Sequence, residues 1–350
     1  MSKTQTPVSL AKNDTALPAV AVLMLSYNQQ DFVEACLESL AAVNYPNMKI
    51  WVLDDGSNDD TAARIRNFVA GSSRQITFIE QENSGGHVSG NLQKLLDTSH
   101  GDYIMFMSGD DLLGPAFPLQ RMVGFLQHNQ ETAFVLPRAI PFATNPAAPL
   151  QNIYLRGMLS TLESGEPQRM LDEHLHVQVS RINLQGMVVR RDTTDQIDGF
   201  DTELIADDYA FSMRKFSEMA RTGMRFHFDP EAVWLYRIHD ANVHRVSRRQ
   251  FALVAEVVAK YVPPEHWATF RWDTMSLNTL EDWHWARQKV EDLFGPDQTS
   301  KIINRFANAS IKAARRRGDT SILYNFAKLK ELNLKHRVHA MLSIIPSFFA

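Results

Sequence analysis

Apolar residues along this chain come in short unbroken runs, each stopping at a polar cluster and followed by a stretch with helical spacing. Ala19 to Leu25 (AVAVLML), Lys49 to Leu53 (KIWVL) and the apolar part of Asp102 to Leu113 (DYIMFMSGDDLL) predict strands. Runs without polar alternation read as strands buried on both faces. A shorter strand is predicted over Ile76 to Ile79. Asp31 to Ala42 carries Phe32, Val33, Cys36, Leu37 and Leu40 at helical spacing, and Thr61 to Val69 and Asn91 to Thr98 predict two more helices. Asn83 to Gly90 (NSGGHVSG) reads as a loop. Such alternation is the pattern of a mostly parallel sheet flanked by helices. Ligands of open α/β sheets lie beyond the strand carboxyl ends. The polar clusters after the strands beginning at Ala19, Lys49 and Asp102 therefore gather along one edge.

The second half has a weaker pattern. Pro115 to Gln127 predicts a helix, Ala133 to Leu136 a strand, and Pro137 to Leu150 an irregular crossing. Strands are expected at Leu184 to Val189, Phe226 to Phe228 and Val233 to Tyr236, with a turn at Asp198-Gly199-Phe200-Asp201. His174-Leu175-His176 fits a strand face without a functional role. Ala206-Asp207-Asp208 opens a helix in which Tyr209, Phe211, Met213 and Phe216 supply apolar contacts. From Gln250 the spacing is helical, broken at Pro263-Pro264, Gly295-Pro296 and Pro346. The expected organisation is a disordered segment 1–18, a domain 19–245 split into halves 19–112 and 113–245, and a helical extension 246–350.

Composition narrows the class. The 350-residue chain has the apolar and charged fractions of an ordinary globular protein. No run reaches the roughly 18 apolar residues of a membrane span, and the polar N-terminus lacks a signal core. A single cysteine, Cys36, excludes an internal disulfide framework. A cytoplasmic location is expected. The net charge of −4 hides ten Lys/Arg against two Asp/Glu in 301–350, so the tail is +8 and the rest −12. A basic tail on an acidic body suggests an anionic surface as a partner, or else a solvated helical face.

Chemistry concentrates in the acids. Asp110 and Asp111 end a buried strand, where two adjacent carboxylates repel unless a cation sits by them. The stretch alone fits metal binding and a capped turn equally. Asp54 and Asp55 leave another strand before Gly56, at a depth where a carboxylate accepts hydrogen bonds from a base N–H or a ribose hydroxyl. Asp59 and Asp60 read as acids complementing a helix N-terminus.

Taken in order, LSYN (25–28), LDDGSNDDT (53–61), SGDD (108–111), DGFD (198–201), ADDY (206–209) and YRIHDAN (236–242) resemble the family 2 glycosyltransferases of the GT-A fold. The resemblance covers roughly residues 19 to 245. It implies an α/β fold of GT-A type: a Rossmann-like, mostly parallel central sheet flanked by helices, here with a helical C-terminal extension. It implies an inverting, metal-dependent transfer of sugar from a nucleoside diphosphate sugar, UDP-linked in the first instance, to an acceptor hydroxyl. The setting it suggests is bacterial surface polysaccharide assembly, with a saccharide or lipid-linked saccharide as acceptor and no nucleic acid.

By that resemblance Asp208 is the catalytic base, with Asp207 where the family has Glu. Asp55 reads the base, Tyr27 lies beside it, Asp110 faces the ribose or sugar, and Arg237 and Asn242 donate to phosphate. Asp111 is the ligand of Mn²⁺ or Mg²⁺, with His239 contacting the metal or diphosphate. The chain departs from the family at Ser89-Gly90-Asn91, which keeps an Asn but offers no Arg; Lys94 can substitute. A basic tail ending in MLSIIPSFF suits peripheral contact with the inner face of the cytoplasmic membrane through 301–350. Two other classes compete. A sugar-phosphate nucleotidyltransferase needs a Gly-rich basic loop after the first strand, which LSYNQQD lacks. A non-catalytic nucleotide-sugar-binding or scaffold protein would not require Asp55, Asp111 and Asp208 together.

Overall fold

In the computed structural model the described residues are 17–148, 150, 158–176, 183–205, 208–240, 247–268, 270, 279–328 and 334–342. The expected disorder of the first sixteen residues, Asp207, Asn242 and the apolar end after Leu342 lie outside them. The strands form one eight-stranded sheet in the order β3-β2-β1-β4-β7-β6-β8-β5. β1 (Val20–Ser26), β2 (Met48–Asp54), β3 (Ile76–Glu80) and β4 (Tyr103–Ser108) run parallel. They alternate with α1 (Val33–Ala41), α2 (Thr61–Gly71) and α3 (Val88–Thr98). Because these strands are parallel, Tyr27, Asp55 and Asp110 follow strands at the same edge, as the polar clusters predicted.

Beyond β4 the direction changes. β7 (Val188–Arg190) is antiparallel to β4 and to β6 (Thr132–Phe142), while β8 (Arg225–Arg237) runs parallel to β6. β5 (Leu112–Leu113), just past the paired acids, closes antiparallel on the end of β8. This return brings the YRIH segment beside Asp110 and Asp111.

Several expectations fail here, for physical reasons. Pro137 to Phe142 is not an irregular crossing but the second half of β6; the register shift between Pro137 and Arg138 absorbs the missing amide donor. Phe226–Phe228 and Val233–Tyr236 are one strand, with Asp229-Pro230 inside it. The strand expected at Leu184 to Val189 is reduced to Val188–Arg190. α3 starts at Val88, inside the expected loop, because the His87 side chain accepts a hydrogen bond from the Gly90 amide. The helix expected from Pro115 is α4 (Leu119–His128). His174 lies on a helix, α6 (Pro167–His176), after the short α5 (Met158–Ser164). Its fully buried ring lies 5.9 Å from that of Tyr209, whose hydroxyl donates to the His174 carbonyl.

Apolar side chains form three clusters. One lies under α1, α2 and α4 and includes Met105 and Met107; another lies under α3 and α8 (Asp208–Thr222) and includes Ile104 and Phe106. Period-two alternation thus divides β4 between both faces. A short α7 (Arg191–Asp195) follows β7. The third cluster joins α9 (Ser247–Tyr261), the short α10 (Pro264–Trp267), α11 (Leu280–Phe294), α12 (Pro296–Arg317), α13 (Thr320–Lys328) and α14 (Leu334–Leu342). Helix α8 belongs to two clusters: Phe211, Phe216 and Met219 face the sheet side, Tyr209, Ala210 and Met213 the helical extension. Burial on both sides fixes this helix, and Asp208 is its first residue.

Candidate active site

The site begins where β4 ends. Ser108 donates its hydroxyl to Asp110 Oδ1, and Asp110 Oδ2 lies 3.0 Å from His239 Nε2. Both side chains keep partial access to solvent, 13% for Asp110 and 18% for His239. Asp111 faces elsewhere. It is 2% exposed; its Oδ1 accepts the Arg237 amide at 2.8 Å and its Oδ2 the Trp234 indole N–H at 3.1 Å. Burial, and then the neighbouring Asp110 carboxylate, raise the Asp111 carboxyl well above the usual range, against those donors.

Arg237 links the two acids. Its Nε donates to the Asp110 carbonyl at 2.7 Å, and its guanidinium carbon stands 4.8 Å from the Phe32 ring centre and 4.6 Å from that of Phe142. Phe32 also lies 4.9 Å from the His239 ring. A guanidinium against aromatic faces is held in orientation.

The β2 end forms a second polar group. Asp54 is structural: its carboxylate accepts from Ser26 and Ser57 hydroxyls and from the Ser57 amide. Asp55, 6% exposed, accepts from Gln81 Nε2 at 2.8 Å, the Ser84 amide at 2.9 Å and the Ser84 hydroxyl at 2.7 Å. Lys94 donates to Gln81 Oε1, so the cation expected to replace the family Arg stands behind Asp55. Gly56, with φ +71°, lies where a Cβ would come within 2.5 Å of the Asn83 amide nitrogen; only glycine allows the loop to close so tightly on Asp55. Tyr27 is 45% exposed at the end of β1, its ring free of the core. Asp59 accepts from the Thr61 amide at 2.9 Å, the helix-start role expected of it.

The start of α8, where Asp208 stands, is held by tertiary packing. Phe211, three residues on, lies 6.0 Å from Phe106 of β4, and the Ser89 hydroxyl at the start of α3 donates to the Leu204 carbonyl just before α8. Asp201 accepts from the Lys260 ammonium at 2.7 Å and from the Tyr261 hydroxyl, tying the DGFD turn to α9.

The donors present fit a hard divalent ion. A carboxylate oxygen suits such an ion, and imidazole nitrogen is a common ligand of transition-metal ions. Asp110 Oδ2 and His239 Nε2, within hydrogen-bond distance of each other at 3.0 Å, are the two donors that would hold it. No group of three or more His, Cys, Asp or Glu converges among the described residues. Such an ion would need ligands from solvent or substrate, as Mg²⁺ commonly does. Sequence reading missed Phe142, Trp234 and the Gln81–Ser84 cradle, none of which carries a spacing signal, and took Phe32 only as a helical core position.

Comparison with known proteins places these features. Over 97 residues the chain is 29% identical to a GalNAc(5)-diNAcBac-PP-undecaprenol beta-1,3-glucosyltransferase of Campylobacter jejuni, covering 28% of this chain and 31% of that one. It spans less than half the length of the curated relatives it matches. A mannosyltransferase from Pyrobaculum calidifontis, solved with GDP-Man and Mn²⁺, superposes with a TM-score of 0.55 at 16% identity, over 99% of this chain and 91% of that one. Staphylococcus aureus TarS 1–349 in complex with UDP-GlcNAc does so with 0.52 at 13% identity, over 94% and 89%. The fold is therefore of the GT-A type, and residues 21–187, just under half of the chain, match the glycosyl transferase family 2.

Proposed function

We propose that the protein is an inverting glycosyltransferase that moves a sugar from a nucleoside diphosphate sugar, UDP-linked, to a hydroxyl of a bacterial surface saccharide. The observation that carries this reading is the 3.0 Å approach of Asp110 to His239 beside Arg237, at the same sheet edge as Asp55 and Tyr27. Asp55 would accept from the base and Tyr27 lie against it. Arg237, oriented by Phe32 and Phe142, would donate to diphosphate oxygens. Asp110 and His239 would hold Mn²⁺ or Mg²⁺. Asp111, given the ligand role by resemblance, is better used in fastening β8, since both its oxygens already accept hydrogen bonds there.

Chemistry follows from these roles. The acceptor oxygen attacks the anomeric carbon as its proton passes to Asp208, and the bond from that carbon to the diphosphate oxygen breaks with its electron pair. A divalent ion, when bound, neutralises charge growing on the diphosphate. Arg237 stabilises the same charge from the protein side.

The relative from Campylobacter jejuni is named for an undecaprenol-linked saccharide. We infer a lipid-linked acceptor for this chain as well, met at a membrane through the basic region 301–350. Calorimetric titration with UDP, with and without Mn²⁺, tests the donor side. Metal-dependent binding that disappears in both Asp110→Asn and His239→Ala supports the reading. Binding of UDP that ignores the metal would favour a non-catalytic nucleotide-binding role.

A further inference from the structure

While the sheet edge is acidic, the positive charge of the chain collects on α12. Lys301, Arg305, Lys312, Arg315 and Arg316 are all exposed. At 100° per residue these five fall within an arc of about 100°. Ile302, Ile303, Phe306, Ala307, Ile311 and Ala314 are buried and fall on the opposite arc. Phe306 packs 5.1 Å from Phe251 of α9, so the apolar side is anchored in the third core cluster and the basic side is turned outward. From Gln298 to Arg317 the sequence holds no Asp or Glu. The stripe from Lys301 to Arg316 is about 22 Å long. On the following helix Tyr324 is 52% exposed with the Lys328 ammonium 4.0 Å above its ring, an aromatic and cation pairing suited to an interfacial position.

We propose that the basic stripe of α12 docks the protein on an anionic bilayer, its ligands being the phosphates of acidic lipid headgroups. This deepens, and rests on, the reading of the chain as a transferase with a lipid-linked acceptor, which such docking would bring to the enzyme. A bilayer fits better than nucleic acid. The stripe is a convex ridge on one helix, and between Lys301 and Arg316 its exposed arc carries no aromatic side chain on which a base could stack. Residues 1–300, at −12, would oppose a wrapping polyanion, whereas a planar surface touches one face only.

Each cation held near an acidic leaflet changes partitioning roughly five-fold. The test is vesicle flotation of the full chain. Wild type is expected to float with phosphatidylcholine vesicles containing phosphatidylglycerol, not with phosphatidylcholine alone, and to be released by salt. Lys312→Gln combined with Arg316→Gln should lower that partition about 25-fold. Its melting temperature and metal-dependent UDP binding should be unchanged, and Lys312→Arg should behave as wild type. Failure to bind acidic vesicles, equal binding to both kinds, an unaffected double variant, or displacement from vesicles by duplex DNA at low excess would each overturn the proposal. Vesicle binding with these properties in a chain that does not bind UDP would uphold the docking face and remove the transferase reading instead.

Discussion

The ring of Phe32 lies 4.9 Å from that of His239, and the Arg237 guanidinium stands over the same Phe32 ring. A residue at the foot of α1 thus orients two side chains from the end of β8. Leucine at position 32 would keep the bulk and lose the π face. Since a cation–π contact contributes about 0.5–1 kcal/mol, Phe32→Leu should weaken metal-dependent UDP binding roughly two- to five-fold. Phe32→Tyr should restore it. Calorimetric affinity is the measurement; identical constants for wild type and the leucine variant would reduce Phe32 to a space filler.

The two acids of SGDD should separate cleanly by mutation. Asp110→Asn removes one of the two converging donors and is expected to abolish metal-dependent nucleotide binding with little change in stability. Asp111→Ala leaves the Trp234 indole N–H and the Arg237 amide without their acceptor. Stranding a buried donor costs about 1–3 kcal/mol each, so its melting temperature should fall by several degrees. A stable Asp111→Ala protein that has lost metal binding would return the ligand role to Asp111.

Asp208→Asn should leave UDP affinity intact and cut sugar transfer by about 10²–10⁴, the contribution usual for a general base. Single-turnover transfer alongside calorimetry separates the two effects. Transfer within a few-fold of wild type would exclude Asp208 as the base.

Lys215 provides a pH signature away from the site. On the sheet side of α8 its ammonium is buried and donates to the Thr193 carbonyl; burial brings its pKa down from 10.5 to about 7, against the pull of Asp192, Glu218 and Asp195. Between pH 7 and 10.5 the unfolded chain holds this proton and the folded chain does not. Stability then rises with pH across that window and is independent of this group below it. The melting temperature of wild type should gain on that of Lys215→Met as pH rises from 7. A constant difference would mean the amine stays charged in the fold.

How legible the site was depended on sequence distance. The ends of β1, β2 and β4 could be read because each strand is an unbroken apolar run with its polar cluster directly attached. Asp59 fell into place for the same local reason. The division of labour between Asp110 and Asp111 could not be read, because β8 decides it: Trp234 and Arg237 claim one carboxylate, and His239 meets the other. β6 and β8 themselves were misjudged at Pro137 and Pro230, where proline lowers any strand expectation. A register shift after Pro137 keeps the pairing going.

By itself the sequence determined the alternation of elements, the parallel half of the sheet with its acid-lined edge, and the charge contrast between body and tail. These follow from periodicity and composition, which are local properties. Tertiary structure alone decided which acid faces His239, how Asp55 is cradled by Gln81 and Ser84, and that α8 is fixed between the sheet and the helical extension. It also decided that the cations of α12 form a single outward stripe, since one face of a helix becomes a surface only when the other is buried. Those relationships arise when distant segments pack together, and no local pattern encodes them.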